Sequence, residues 1–145
     1  MKLTGTHKFK ASSNQVFQAI LNPNVMKASI PGCQSVEYLD PEHIRANLTT
    51  PFPGLKGPYA ATIHIARSQE PSMLFLEVQR KGKGGSINAT SHINISDETD
   101  GGSLLTYSAT ADLEGPISIA NNPMGEGVTR NLLGIFFKNL DKVIL

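Results

Sequence analysis

The sequence predicts an α+β fold: a curved, seven-stranded antiparallel sheet with two short helices and a long C-terminal helix lying over either an apolar cavity or a filled core. Two observations carry this. Seven segments alternate apolar and polar side chains with the period of two that a half-buried strand requires, and Gly- or Pro-containing turns punctuate the last six. Residues 128–144 instead carry apolar side chains at helical spacing, over an arc too wide for one packed face. Sheet and helix each need one apolar face covered, and a curved sheet gripping one helix satisfies both.

The first strand spans Lys2–Lys10. Leu3, Gly5, His7 and Phe9 share its inward face, while Lys2, Lys8 and Lys10 join Thr4 and Thr6 on the wet one. Ser12 and Gln15 then have the spacing of a capping box, with Val16, Phe17, Ile20 and Leu21 at helical intervals behind them. Asn22-Pro23 breaks that helix, and a second short one through Val25 and Met26 ends before Ile30-Pro31-Gly32-Cys33. Six further strands follow: Ser35–Leu39, Ile44–Thr50, Tyr59–Arg67, Met73–Arg80, Ser86–Ser96 and Ser103–Leu113. Their short links argue for a meander, since antiparallel neighbours need only a tight turn. No linker or repeat divides residues 1–145, which are expected to form one domain.

Parity assigns the inward faces. Tyr59, Ala61 and Ile63 point inward on the fourth strand, Leu74, Leu76 and Val78 on the fifth, Ile87, Ala89 and Ile93 on the sixth, and Leu105, Tyr107, Ala109 and Ala111 on the seventh. Small residues recur among the inward positions: Gly5, Ala61, Ala89, Ser91, Ala109 and Ala111. Such a sheet either leaves a hollow beneath the helix or is filled by Phe9, Phe17, Phe136 and Tyr107, and the sequence leaves both readings open. A ligand in the hollow would meet His7 and Phe9, then Tyr59, Ala61 and Ile63, then Leu76, Ala89, Tyr107 and Ala109. Leu132 and Phe136 would close over it from the helix. The imidazole of His7 and the hydroxyl of Tyr107 would either orient such a ligand or bond to backbone.

The loop Pro51-Phe52-Pro53-Gly54-Leu55 places two apolar residues where a polar turn is usual. Phe52 and Leu55 either form a lip that touches a partner or membrane, or fold back on the core. The wide apolar arc of the last helix admits a homo-oligomer.

Several function classes are excluded. Net charge is +1, from 13 basic and 12 acidic residues, too little to steer the whole surface onto nucleic acid. One cysteine, Cys33, permits no internal disulfide, and the four histidines lack metal-ligand spacing. Nucleophile elbow, P-loop, Rossmann and zinc-protease motifs are all missing, so no catalytic residue, metal or cofactor is assigned. The run Lys81-Gly82-Lys83-Gly84-Gly85 opens no helix and reads as a solvated hairpin rather than a phosphate cradle. With neither a leader nor a membrane span, a cytoplasmic location is expected.

The order of these elements resembles the CoxG family of carbon monoxide dehydrogenase subunits, a branch of the START-like (SRPBCC, helix-grip) superfamily. The residues that carry the likeness are the Gly5…Phe9 strand, Ile30-Pro31-Gly32-Cys33, Pro53-Gly54-Leu55-Lys56-Gly57, the glycines of 82–85, and Leu105-Thr106-Tyr107. The resemblance implies a cavity between sheet and long helix that binds a lipophilic small molecule, a quinone being one candidate. It also implies a place beside a molybdenum hydroxylase of the carbon monoxide dehydrogenase type, linking it to the membrane or the quinone pool. A ligand-independent assembly factor or adaptor is the alternative. A START-like cyclase or hydrolase would need His7 or Tyr107 facing the hollow as an acid–base group. Many relatives carry a tail beyond the last helix, whereas this sequence stops at Leu145. Peripheral contact with the inner face of a membrane would then fall to Phe52, Leu55 or the helix face.

Overall fold

The computed structural model describes residues 1–50 and 57–144. β1 (Lys2–Phe9) leads into α1 (Ser13–Ile20) and α2 (Pro23–Ser29). Then come β2 (Cys33–Asp40), β3 (His43–Leu48), β4 (Tyr59–Gln69), β5 (Met73–Arg80), β6 (Ser86–Asp97) and β7 (Ser103–Glu114). A 3₁₀ segment, Gly115–Asn121, precedes α3 (Pro123–Ile144). The strands form one antiparallel sheet in the order β1-β7-β6-β5-β4-β3-β2. β1 and β2 are therefore the two edges, and α1 and α2 carry the chain from one to the other. Register shifts in β2 and between Ile65 and Arg67 in β4 mark irregularities that bend the strands.

Local chemistry sets the helix starts. The capping box is complete: the Ser12 hydroxyl accepts from the Gln15 amide at 3.3 Å, and the Gln15 side chain accepts from the Ser12 amide at 2.9 Å. Asp97, from the end of β6, accepts the Ser13 N–H at 2.8 Å and so ties α1 to the sheet. Asn22 caps α2 by accepting from the amides of Asn24 and Val25, with Pro23 at the first helical position.

The last helix departs from the sequence expectation. It begins at Pro123, not Val128, and Asn121-Asn122-Pro123 is its start rather than an interruption. Asn122 accepts the Gly125 N–H at 2.7 Å, and proline belongs in a first turn, where its missing donor would have no partner. Gly125 is required there: a Cβ would stand 2.5 Å from the Ala120 Cα.

The hydrophobic core gathers at one end of the sheet. Phe9, Val16, Leu74, Leu105 and Leu140 are wholly buried, with Phe17, Ile20, Ile95 and Phe137 around them. The rings of Phe9 and Phe137 meet edge to face at 6.2 Å. Ser103 belongs to this core because its hydroxyl donates to the Ala11 carbonyl at 2.9 Å. Asn139 donates to the Ser29 carbonyl at 3.1 Å and joins α3 to α2.

Candidate functional site

Strand register shows where space is left beneath α3. Leu74, Ile93, Tyr107 and Gly5 pair across β5, β6, β7 and β1 as one inward row, at the packed end. The next row runs Ile65, Leu76, Ser91, Ala109, Leu3, and the one beyond it Ile63, Val78, Ala89, Ala111. The last pairs Arg80 with Ile87 and Ile87 with Leu113. Leu74, Ile93 and Tyr107 fill the first row, whereas the second and third carry Ser91, Ala109, Ala89 and Ala111. Filled core and hollow therefore both exist, at opposite ends of one sheet.

The hollow is an apolar cavity of about 710 Å³, within the range that holds a small molecule. Tyr59, Ala61 and Ile63 line it from β4, with Val78 and Arg80 from β5 and Ile87 from β6. Ala111 and Leu113 complete the sheet wall from β7, and Thr129, Leu132, Leu133 and Phe136 form the helix wall. The Ile30–Gly32 turn, residues 48–50, Met1, Gly84, Ile117 and Ala120 complete the lining. Polar groups are few. Thr129 is engaged, its hydroxyl donating to the Gly125 carbonyl at 2.9 Å. Among the described residues that line the cavity there is no His, Cys, Asp or Glu.

Of the residues expected to touch a ligand, Tyr59, Ala61, Ile63, Leu132 and Phe136 lie on this wall. The others do not. Phe9 is wholly buried in the core, and Leu76 packs against that core. His7 stacks on Phe137 at 5.4 Å and meets Phe9 edge-on at 4.6 Å. Burial pushes its imidazole below the usual histidine range; nearby Asp141 opposes the shift and Lys138 reinforces it. Tyr107 lies against Gly5 and Phe137. Ala89 and Ala109 face inward without reaching the cavity. Phe52 and Leu55 fall outside the described residues.

Arg80 is a wall residue, although beside Lys81 and Lys83 it reads from composition as part of a basic surface edge. Its signal is parity, since it continues the inward set Leu74, Leu76, Val78. Its guanidinium sits 4.5 Å above the Tyr59 ring. It donates to the carbonyls of Gly82, Lys83 and Gly85. The glycines make this wrap possible: Gly84 (φ +92°) has Tyr59 where a Cβ would stand, and Gly85 (φ +113°) has the Glu114 carbonyl there.

Elsewhere, His43 and His64 stack at 4.5 Å, and their Nδ1 atoms each lie 2.9 Å from a carboxylate, of Asp40 and Glu77 respectively. No set of three or more His, Cys, Asp or Glu among the described residues is arranged to hold a metal ion. No helix among them is long and apolar enough to cross a membrane.

The model of the CoxG family of carbon monoxide dehydrogenase subunits matches residues 5–145. A conserved protein of Geobacillus kaustophilus has a solved structure similar to this one at a TM-score of 0.91 and 27% identity, with 99% of this chain and 95% of that one covered. A START superfamily protein of Mycobacterium smegmatis superposes at 0.74 with 14% identity, over 99% and 96% of the two chains. A protein of Chromobacterium violaceum gives 0.77 and 13%, over 99% and 96%. Among curated protein sequences, none matches. These likenesses agree with a START-like arrangement of curved sheet and long helix.

Proposed function

The chain belongs to the CoxG family of carbon monoxide dehydrogenase subunits, and from that membership we propose that it is a non-catalytic binder of a lipophilic small molecule. The observation that carries this reading is the apolar cavity of about 710 Å³ between sheet and α3. An apolar space of that size gains free energy from any apolar guest that fills it, since the guest leaves water and contacts wall atoms that otherwise lack partners. The described wall offers no carboxylate or imidazole for proton transfer, and His7 is held in the packed end. Binding and release fit this site better than turnover.

Family membership also supports a place beside a molybdenum hydroxylase of the carbon monoxide dehydrogenase type, with a quinone as one candidate guest. The test is native mass spectrometry of gently purified protein, followed by organic extraction of whatever is released. Wild type is expected to carry or take up a lipophilic molecule, and Ala61→Phe to lose it while keeping its fold. Uptake that survives Ala61→Phe and a second block, Ala111→Phe, would rule the cavity out.

An adaptor that needs no ligand is the second reading. It is favoured by exposed apolar side chains on α3, where Met124 is 82% exposed and Ile135 and Val143 also face solvent. Co-purification with the hydroxylase that is lost on Ile135→Ser but indifferent to Ala61→Phe would favour it.

A further inference from the structure

Arg80 brings a cation to a largely apolar wall; the ammonium of Met1, which also lines it, donates to the Ala111 carbonyl at 2.8 Å. Among the described residues Arg80 forms no ion pair with a carboxylate. Asp112 and Glu114, which line a polar hollow that Arg80 also borders, are not within ion-pair distance of it. Asp112 belongs to the outward row Thr62, Gln79, Asn88, Asp112, and Glu114 shares its parity on β7. Lys81, one residue along β5, has the same outward parity as Gln79. Among the described residues, the charge of Arg80 is met by backbone carbonyls and the face of Tyr59.

The guanidinium is also held in place with donors to spare. Nη1 donates to Gly82 and Gly85, and Nη2 to Lys83. A guanidinium carries five N–H groups, so Nε–H and one Nη2–H have no acceptor among the described residues. Two spare N–H donors on one guanidinium suit the oxygens of a carboxylate or a phosphate. Three carbonyls and a ring fix the group beforehand, so little side-chain entropy remains to be lost when a guest arrives. A second, polar hollow of about 850 Å³ runs along the outward row and shares Met1, Arg80, Ile87, Ala111 and Leu113 with the apolar one. Apolar space and polar space thus meet at this residue.

We infer that the guest is an amphiphile with an anionic oxygen head, carboxylate or phosphate, bound by Arg80, its apolar chain lying between β4–β7 and α3. This rests on the cavity reading above and narrows its ligand class away from neutral heads such as a quinone's, since only an anion adds charge pairing to the hydrogen bonds that Arg80 has to offer.

Isothermal titration with three probes of equal chain length tests it: dodecanoate, dodecyl phosphate and 1-dodecanol. Wild type should bind at least one anion about tenfold more tightly than the alcohol, the scale expected for hydrogen bonds to a charged group. The tighter anion identifies the head. Arg80→Gln should erase that preference while keeping affinity for 1-dodecanol, which also shows that the variant retains its cavity. Lys81→Gln should preserve the preference. Equal affinities in wild type, or a preference lost in Lys81→Gln but kept in Arg80→Gln, would overturn the role of Arg80 and leave the cavity reading standing. Failure of all three probes to bind would overturn both.

Discussion

The phenol of Tyr107 lies on the bare backbone of Gly5, its cross-strand partner. A Cβ on Gly5 would stand 2.6 Å from the hydroxyl oxygen and 2.8 Å from the ring carbon that bears it. Glycine in a strand weakens it, having no side chain to pack, and an aromatic ring laid across it restores the lost cover. The pair closes the packed end of the sheet beside His7 and Phe137.

Gly5→Ala should therefore displace the Tyr107 ring and destabilise the protein by about 1–3 kcal/mol, the usual cost of overpacking. Urea denaturation checks this. In a Tyr107→Ala background the same change should cost much less, because its obstacle is gone, and the cycle should show strong non-additivity.

Adjacent phenylalanines of α3 should respond in opposite ways. Phe137 is 6% exposed and packs in the core, whereas Phe136 faces the cavity. Phe137→Ala should cost about 3–5 kcal/mol. Phe136→Ala should cost less than half of that and alter ligand uptake, which parallel denaturation and binding measurements would show.

Ala61 and Ala109 look alike in the sequence, both small and both inward. Ala61 lines the cavity, while Ala109 sits among Leu3, Ser91 and the core-facing Leu76. Ala61→Phe should block ligand uptake with little change in stability. Ala109→Phe should lower stability by about 1–3 kcal/mol through overpacking and leave uptake in place. Thermal melts with and without ligand separate the two.

Stability should fall on mild acidification, through His7. Its folded pKa lies below the ordinary 6.5 because burial disfavours the imidazolium, so below 6.5 the unfolded chain binds more protons than the folded one. The contribution is complete above 6.5 and lost as pH drops through the folded value. Urea midpoints between pH 7.5 and 5 should decline, and His7→Gln should flatten that slope whatever it does to the stability at pH 7.5. Asp40, Asp97 and Asp100 are held below the usual carboxylate range by hydrogen bonds, so their own contributions fade only at lower pH.

What the sequence made legible was local. Strand parity follows from a period of two, and the cap of α1 is written in Ser12 and Gln15. The start of α3 was equally local, but Asn122-Pro123 carries both breaker and cap chemistry, and only the course of the chain decides between them. The cavity was of another kind. Core and hollow call for the same inward apolar residues, so parity cannot separate Ala61 from Ala109 or Phe136 from Phe137. What separates them is depth along the strands beneath α3, which emerges only when distant segments meet. Arg80 was visible by parity and hidden by composition, since a basic residue beside Lys81 and Lys83 reads as surface.

The unequal filling of the sheet has an evolutionary consequence. Residues that hold the fold together and residues that would meet a guest sit in different rows, so most changes to the cavity wall draw little on a stability margin that is only several kcal/mol in proteins generally. Such a scaffold can exchange one guest for another by small steps at Ala61, Val78, Ile87 or Leu132, each leaving a chain that still folds. Diversification of this kind does not have to wait for compensating mutations in the core.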